Sequence, residues 1–204
     1  MASGTHLALV RTAHALWDRG LVNGSSGNIS ARLDDGSILI TPSGCSFGAL
    51  AADDLVRVGI DGRPYNAGMR PSVERLLHLA VYRARADVRY VIHTHPAYCV
   101  VWSQTGGPFP REIVAATESL APLAWVPFAP SGSQELADAV ARALSGDAAL
   151  ALLENHGLIA VSGDIDAAFL QTDLAESCAH VAYASRLLRE LTSRRGIPRC
   201  AAGG

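Results

Sequence analysis

Two short runs of strand-forming residues, 29–33 and 37–41, are separated only by Asp34-Asp35-Gly36. That is a hairpin signal, so the sheet of this chain starts antiparallel. The feature constrains the fold strongly, because neighbouring parallel strands need a long crossover and this link has no room for one. Further strands are expected at 55–60, at 91–94, at 123–128, at 148–153 and at 158–161. Helices are expected at 5–19, from about Arg70-Pro71-Ser72 to Arg85, at 97–103 and at 133–144, with a long one from Asp164 onward. Ser131 or Ser133 would cap the fourth of these and Asp164 the last. On the last helix Leu170, Leu174, Cys178, Val181, Ser185 and Leu188 mark one face as a core stripe, and His180 lies off it. Strands and helices intermix without a regular βαβ rhythm. An α/β chain of the α+β type follows, with a mostly antiparallel sheet covered by helices.

With 204 residues the chain is expected to form a single domain over 1–204, its core spanning about 5–190 and its tail fraying from Thr192. A net charge of -2 supplies neither a basic stripe for nucleic acid nor a polybasic membrane patch. No apolar run reaches membrane length, and the first residues do not read as a signal peptide, so a cytoplasmic protein is expected. Cys45, Cys99, Cys178 and Cys200 show no CxxC spacing and read as reduced thiols. All 17 basic residues are arginine. The lack of lysine excludes Schiff-base catalysis, covalent pyridoxal phosphate and a Walker A phosphate loop. Carbanion chemistry would need another source of stabilisation, and a metal ion is the obvious one.

The segment Val91-Ile92-His93-Thr94-His95-Pro96 offers such a site. Alternate strand residues share a face, so His93 and His95 point the same way with Cα atoms roughly 6.5–7 Å apart. Two imidazoles so placed suit one metal ion, although a histidine pair at a strand end can equally serve its neighbours as hydrogen-bond partners. His156, in Glu154-Asn155-His156-Gly157, follows another buried strand, where a third ligand is expected. Glu74 reads either as a helix-start charge or as a functional carboxylate, and His78 one turn later could touch it. Two loops rich in glycine and hydroxyls, 23–30 and 41–44, are plain turns taken singly. Together, at the ends of one hairpin, they could cradle an anion.

The segments 24–30, 38–44, 71–78, 91–96 and 154–161, in this order and spacing, resemble the class II aldolase/adducin family over roughly residues 5–190. The resemblance implies a three-layer fold around a central antiparallel sheet, assembled as a homotetramer. It implies that His93, His95 and His156 bind a divalent metal, zinc, with Mn2+ or Co2+ as alternatives. Glu74 matches the catalytic acid/base, and Gly27, Asn28, Ser43, Gly44 and Ser72 match the donors to a substrate phosphate. Three neutral imidazoles leave zinc its full charge and open positions, as stabilising an enediolate requires.

Some phosphate-binding members carry two serines before the glutamate, whereas Val73 follows Ser72 here. Val114 stands where the aldolases have a tyrosine, and the last tyrosine of the chain is Tyr183. The expected activity is zinc-dependent cleavage of a ketose 1-phosphate to dihydroxyacetone phosphate and an aldehyde, with Val114 giving a less polar aldehyde subsite. The alternatives are decarboxylation of a 3-oxo-tetronate 4-phosphate, sugar-phosphate epimerisation, and a metal-free scaffold as in adducin. Glu118 and Glu154 rank as structural or supporting carboxylates. The expected partner is a small sugar phosphate, with no nucleic acid and no membrane.

Overall fold

The computed structural model describes residues 4–194. Seven strands form one sheet: β1 (Asn28–Arg32), β2 (Ile38–Ile40), β3 (Val56–Val58), β4 (Tyr90–Thr94), β5 (Leu123–Val126), β6 (Leu150–Leu153) and β7 (Gly157–Ser162). Their order is β3-β2-β1-β4-β7-β6-β5, and every neighbouring pair is antiparallel except β5–β6. The Asp34-Asp35-Gly36 link joins β1 to β2 as the hairpin signal requires.

Because strand side chains alternate, the central strands feed two separate apolar layers. Ile29, Leu39, Ile92, Leu152 and Leu158 face α1 (Gly4–Asp18), α3 (Ala97–Ser103) and α6 (Ile165–Arg194). Ile40, Val91, Ala151, Leu153 and Ile159 face α2 (Arg75–Ala84) and α5 (Gln134–Ala143). The result is a mixed, mostly antiparallel sheet flanked by helices on both faces. A short helix absent from the sequence reading, α4 (Val114–Ser119), lies between α3 and β5; it buries only Ala116, too little to leave a periodic apolar signal.

Two expectations need correction. The buried face of α6 is formed by Ile165, Ala168, Thr172, Ala175, Cys178, Ala179 and Ala182. Of the anticipated stripe only Cys178 is buried, while Leu170, Val181 and Leu188 are exposed. Small side chains let the helix approach the sheet closely, so the alanines carry the packing and the bulky residues point away. The second correction is at α2. Its start is Glu74, not Ser72, because the preceding chain is held extended: Ser72 N–H donates to Thr41 O and Ser43 N–H to Arg70 O, with a bridge between Pro42 and Pro71.

Other end signals behave as read. Ser133 caps α5 by accepting from Leu136 N–H, and Asp164 accepts from Ala167 N–H at the start of α6. Thr192–Arg194 continue α6, whereas 195–204, including Cys200, lie outside the described residues. Cys45, Cys99 and Cys178 are free thiols. Among the described residues no helix is long and apolar enough to cross a membrane.

The α6 packing can be tested at Ala175, which is fully buried. Ala175→Leu is expected to cost about 1–3 kcal/mol of unfolding free energy by overpacking, read as a lower urea midpoint with unchanged slope.

Candidate active site

β4 delivers His93 to the α2 side of the sheet, on the same face as Val91. His95 stands just past the strand end, before Pro96 begins the turn into α3. His156 comes from the tight turn between β6 and β7. There Asn155 adopts a left-handed backbone (φ 55°) and donates its N–H to Ser103 Oγ at 3.0 Å, and His156 N–H closes the turn on Leu153 O. The three imidazole centroids lie 4.8, 4.9 and 5.0 Å apart.

Glu74 completes the group. Its Oε2 is 3.2 Å from His93 Nε2 and its Oε1 is 3.3 Å from His156 Nε2. The potential ligand atoms of Glu74, His93, His95 and His156 all lie within 4.8 Å of one another. The helix-start explanation of Glu74 fails, since its carboxylate is buried and turned into this cluster. Nor does it touch His78, because the Asn28 amide stands between them.

The chemistry of the donors fits a cation. His93 Nδ1 lies 3.1 Å from Leu158 O, and a carbonyl can only accept, so Nδ1 carries a hydrogen and Nε2 is the atom left to face a metal. His93 Nε2 faces His95 Nε2 at 3.0 Å and a carboxylate oxygen at 3.2 Å, an arrangement a divalent metal would reconcile. Burial and the neighbouring imidazoles of His93 and His156 push His95 down to about 3, so it is neutral at pH 7, as a ligand must be. For Glu74, burial alone would raise the carboxyl. Its contacts with His156, His93 and the Asn28 amide outweigh burial and hold it well below the usual carboxylate range.

Beside this cluster lies a cavity of about 170 Å³ whose lining includes Gly27, Asn28, Ser43, Gly44 and Ser72 together with Glu74 and His95. All five residues expected to hold a phosphate are therefore gathered at one place. Gly27 is required there: its φ is +81°, and a Cβ would meet Val22 at 2.8 Å and His93 O at 2.9 Å. With the N–H groups of Ser43 and Ser72 already engaged, those two residues can offer an anion their hydroxyls.

Sequence reasoning missed Ser131. Read only as an alternative helix cap, it donates its hydroxyl to Glu74 Oε1 at 2.8 Å. Gly132 next to it sits so close over Val73 O, 3.1 Å from a hypothetical Cβ, that the turn is pressed against the segment leading into α2. Glu154 is structural, accepting from Phe128 N–H, and Glu118 is exposed on α4. Val114 is 71% exposed and lines neither this cavity nor the adjoining one. The adjoining cavity, about 340 Å³, shares Ser43 and Val73 with the first and is flanked by Arg70 and Arg75.

A family model described as the Class II Aldolase and Adducin N-terminal domain matches residues 7–183. The chain belongs to this family. An L-fuculose phosphate aldolase of Methanococcus maripaludis (strain C7 / ATCC BAA-1331) is 32% identical over 174 residues, covering 85% of this chain and 93% of that protein. A 5-methylthioribulose-1-phosphate/5-deoxyribulose-1-phosphate aldolase of Escherichia coli O45:K1 (strain S88 / ExPEC) is 35% identical over 154 residues, 75% of this chain and 71% of that one. A 3-oxo-tetronate 4-phosphate decarboxylase of Haemophilus influenzae is 31% identical over 179 residues, 83% and 82% of the two chains. Among solved structures, the L-fuculose-1-phosphate aldolase of Thermus thermophilus superposes with a TM-score of 0.80 at 27% identity, covering 93% of this chain and 98% of that one. The family enzymes are mostly aldolases, with one decarboxylase among these relatives.

Gly157 tests the cluster without altering any donor. A Cβ there would lie 2.3 Å from Thr94 O and 2.8 Å from the His95 ring. Gly157→Ala is therefore expected to lower divalent-metal affinity by about 10–100-fold, measured by titration of the metal-stripped protein.

Proposed function

We propose that the chain is a metal-dependent aldolase that reversibly cleaves a ketose 1-phosphate to dihydroxyacetone phosphate and an aldehyde. The observation that carries this reading is the convergence of three imidazoles and the Glu74 carboxylate at the edge of a cavity lined with serine and glycine. In this reading His93, His95 and His156 hold one zinc ion per chain. The metal supplies a Lewis acid for the negative charge that collects on the substrate oxygens when the carbon–carbon bond breaks. Gly27, Asn28, Ser43, Gly44 and Ser72 hold the phosphate and so fix the reacting carbons beside Glu74. Glu74, ionised in its buried setting, takes a proton from the carbon next to the carbonyl in one direction and returns it in the other. The chain has no lysine to do this work through an imine. A single domain, a cytoplasmic location and a homotetrameric assembly belong to the same proposal.

The decarboxylase reading draws support from the Haemophilus influenzae relative and from Arg70 and Arg75, cationic groups able to meet a second substrate anion. These arginines line a cavity that includes neither Glu74 nor a histidine of the cluster, so they flank the phosphate side rather than the reacting end. That favours the aldolase. The aldehyde is best taken as small or deoxygenated: Phe128, 62% exposed, sits on the same loop as Ser131, and the Escherichia coli relative is named for 5-deoxyribulose 1-phosphate.

Cleavage of a 5-deoxypentulose 1-phosphate is expected to outpace that of fuculose 1-phosphate in a screen of sugar phosphates and sugar-acid phosphates read by NMR. Stoichiometric carbon dioxide from a 3-oxo-tetronate 4-phosphate, with no retro-aldol activity on any ketose 1-phosphate, would establish the decarboxylase instead. Glu74→Gln is expected to retain the metal while slowing exchange of the reactive hydrogen of dihydroxyacetone phosphate in heavy water by about 10²–10⁴-fold.

A further inference from the structure

Behind Glu74 a chain of buried polar groups runs from Asn28, which also lines the anion cavity, to His78, Ser30 and Tyr82, which belong to neither that cavity nor the metal cluster. Asn28 Nδ2 is 2.9 Å from Glu74 Oε2, and Asn28 Oδ1 is 2.5 Å from His78 Nε2. His78 Nδ1 is 2.7 Å from Ser30 Oγ, which is 2.8 Å from the Tyr82 hydroxyl. Asn28, Ser30, His78 and Tyr82 are all buried on the α2 side of β1, with His78 and Ser30 fully inaccessible. A buried network of this kind is costly unless every member is satisfied, so its donors and acceptors can be deduced one from the next.

The deduction starts at Glu74. An ionised carboxylate can only accept, so the group of Asn28 that faces it is the NH₂, and the amide oxygen faces His78. That oxygen can only accept, which puts a hydrogen on His78 Nε2. Burial drives His78, fully enclosed, down to about 3, so the ring is neutral and its Nδ1 is bare. Ser30 must then donate to Nδ1, and Tyr82 in turn donates to Ser30. All four links point one way, from Tyr82 to Glu74.

Each oxygen of Glu74 faces an imidazole nitrogen, Oε2 that of His93 and Oε1 that of His156, and each has one further partner. Oε2 meets an amide NH₂, which can donate but never accept. Oε1 meets the Ser131 hydroxyl, which donates to a carboxylate and, by rotating, accepts from a carboxylic acid. We propose that His78 is a positioning residue: its hydrogen bond to Asn28 Oδ1 fixes the amide with its NH₂ on Glu74 Oε2, and so holds the carboxylate in place for proton exchange with substrate. When the carbon acid of the substrate is deprotonated, the C–H bond breaks and its electron pair stays with the substrate. The proton forms an O–H bond on the Glu74 carboxylate. The reverse step returns the proton to carbon and leaves the carboxylate. Without the His78 hydrogen bond the Asn28 amide could turn over and place its oxygen against the carboxylate, repelling it.

This inference rests on Glu74 as the acid/base, and the test separates the two. In the intact metal-loaded protein with ¹⁵N-labelled histidine, the His78 resonances should show a protonated Nε2 and a bare Nδ1. A hydrogen on Nδ1 would reverse the chain and overturn the proposal whatever the enzyme's activity. In kinetic assays with dihydroxyacetone phosphate in heavy water, His78→Leu should slow hydrogen exchange by about 10–100-fold with metal content and KM unchanged. His78→Gln, whose amide can still donate to Asn28 and accept from Ser30, should recover most of that loss. Equal defects in the Leu and Gln variants, or a loss that follows metal content, would mean that His78 serves only to fill space, and the proposal falls. Should His78→Leu fail to fold, the labelled wild-type protein and the Gln variant still decide the matter. No exchange in the wild-type protein, with His78 protonated on Nε2, would instead reject the acid/base reading of Glu74 and leave the polarity of the chain standing.

Discussion

The register between β1 and β4 is the constraint on which the rest of the site depends. Asn28 pairs with His93 in the antiparallel ladder, and His93 pairs on its other side with Ile159 of β7. Because side chains alternate, a slip of one residue would send His93 and Asn28 into the opposite layer, among leucines and isoleucines, and break the site and the core together. The apolar pattern of the central strands thereby protects the position of the polar residues set among them. Val91 and Ile159 fill the α2 layer, Ile92 and Leu158 the other, and the register that satisfies them also sets Asn28 beside Glu74.

Much of this was legible in the sequence because the signals were local. A histidine pair at the end of a β-branched run, a histidine in a glycine turn after an apolar strand, and a short acidic turn between two strands each report a structure that forms within a few residues. The glutamate was legible only through the order and spacing of the family's segments, since an acidic residue at a helix start carries an equally good local explanation. The structure removes that ambiguity by burying the carboxylate and turning it to His93 and His156.

What escaped the sequence was non-local. Ser131 is 57 residues from Glu74 along the chain, and a serine two residues before a helix cap advertises only capping. The link from Glu74 to Tyr82 zigzags between α2 and β1: Glu74, His78 and Tyr82 recur every four residues and Asn28 and Ser30 every two, but nothing local says that these two faces meet. On α6 the reasoning failed for a different cause. The rule that large apolar residues lie inside gave way to close packing, and a face of alanines proved to be the buried one. Residue size told against burial where an intimate helix–sheet contact left no room.

The origin of the ligands has a thermodynamic corollary. His93 lies on a strand in the middle of the sheet, His95 one residue beyond that strand and His156 one residue before the neighbouring one. Binding an ion there would freeze little additional chain, so little conformational entropy is lost on coordination. Stabilisation by linkage would then follow metal concentration, reaching about 2.7 kcal/mol when free metal is a hundredfold above its dissociation constant. Chelation would accordingly loosen the turn at Asn155 and His156 and leave the sheet intact, so that amide exchange would quicken first at that turn.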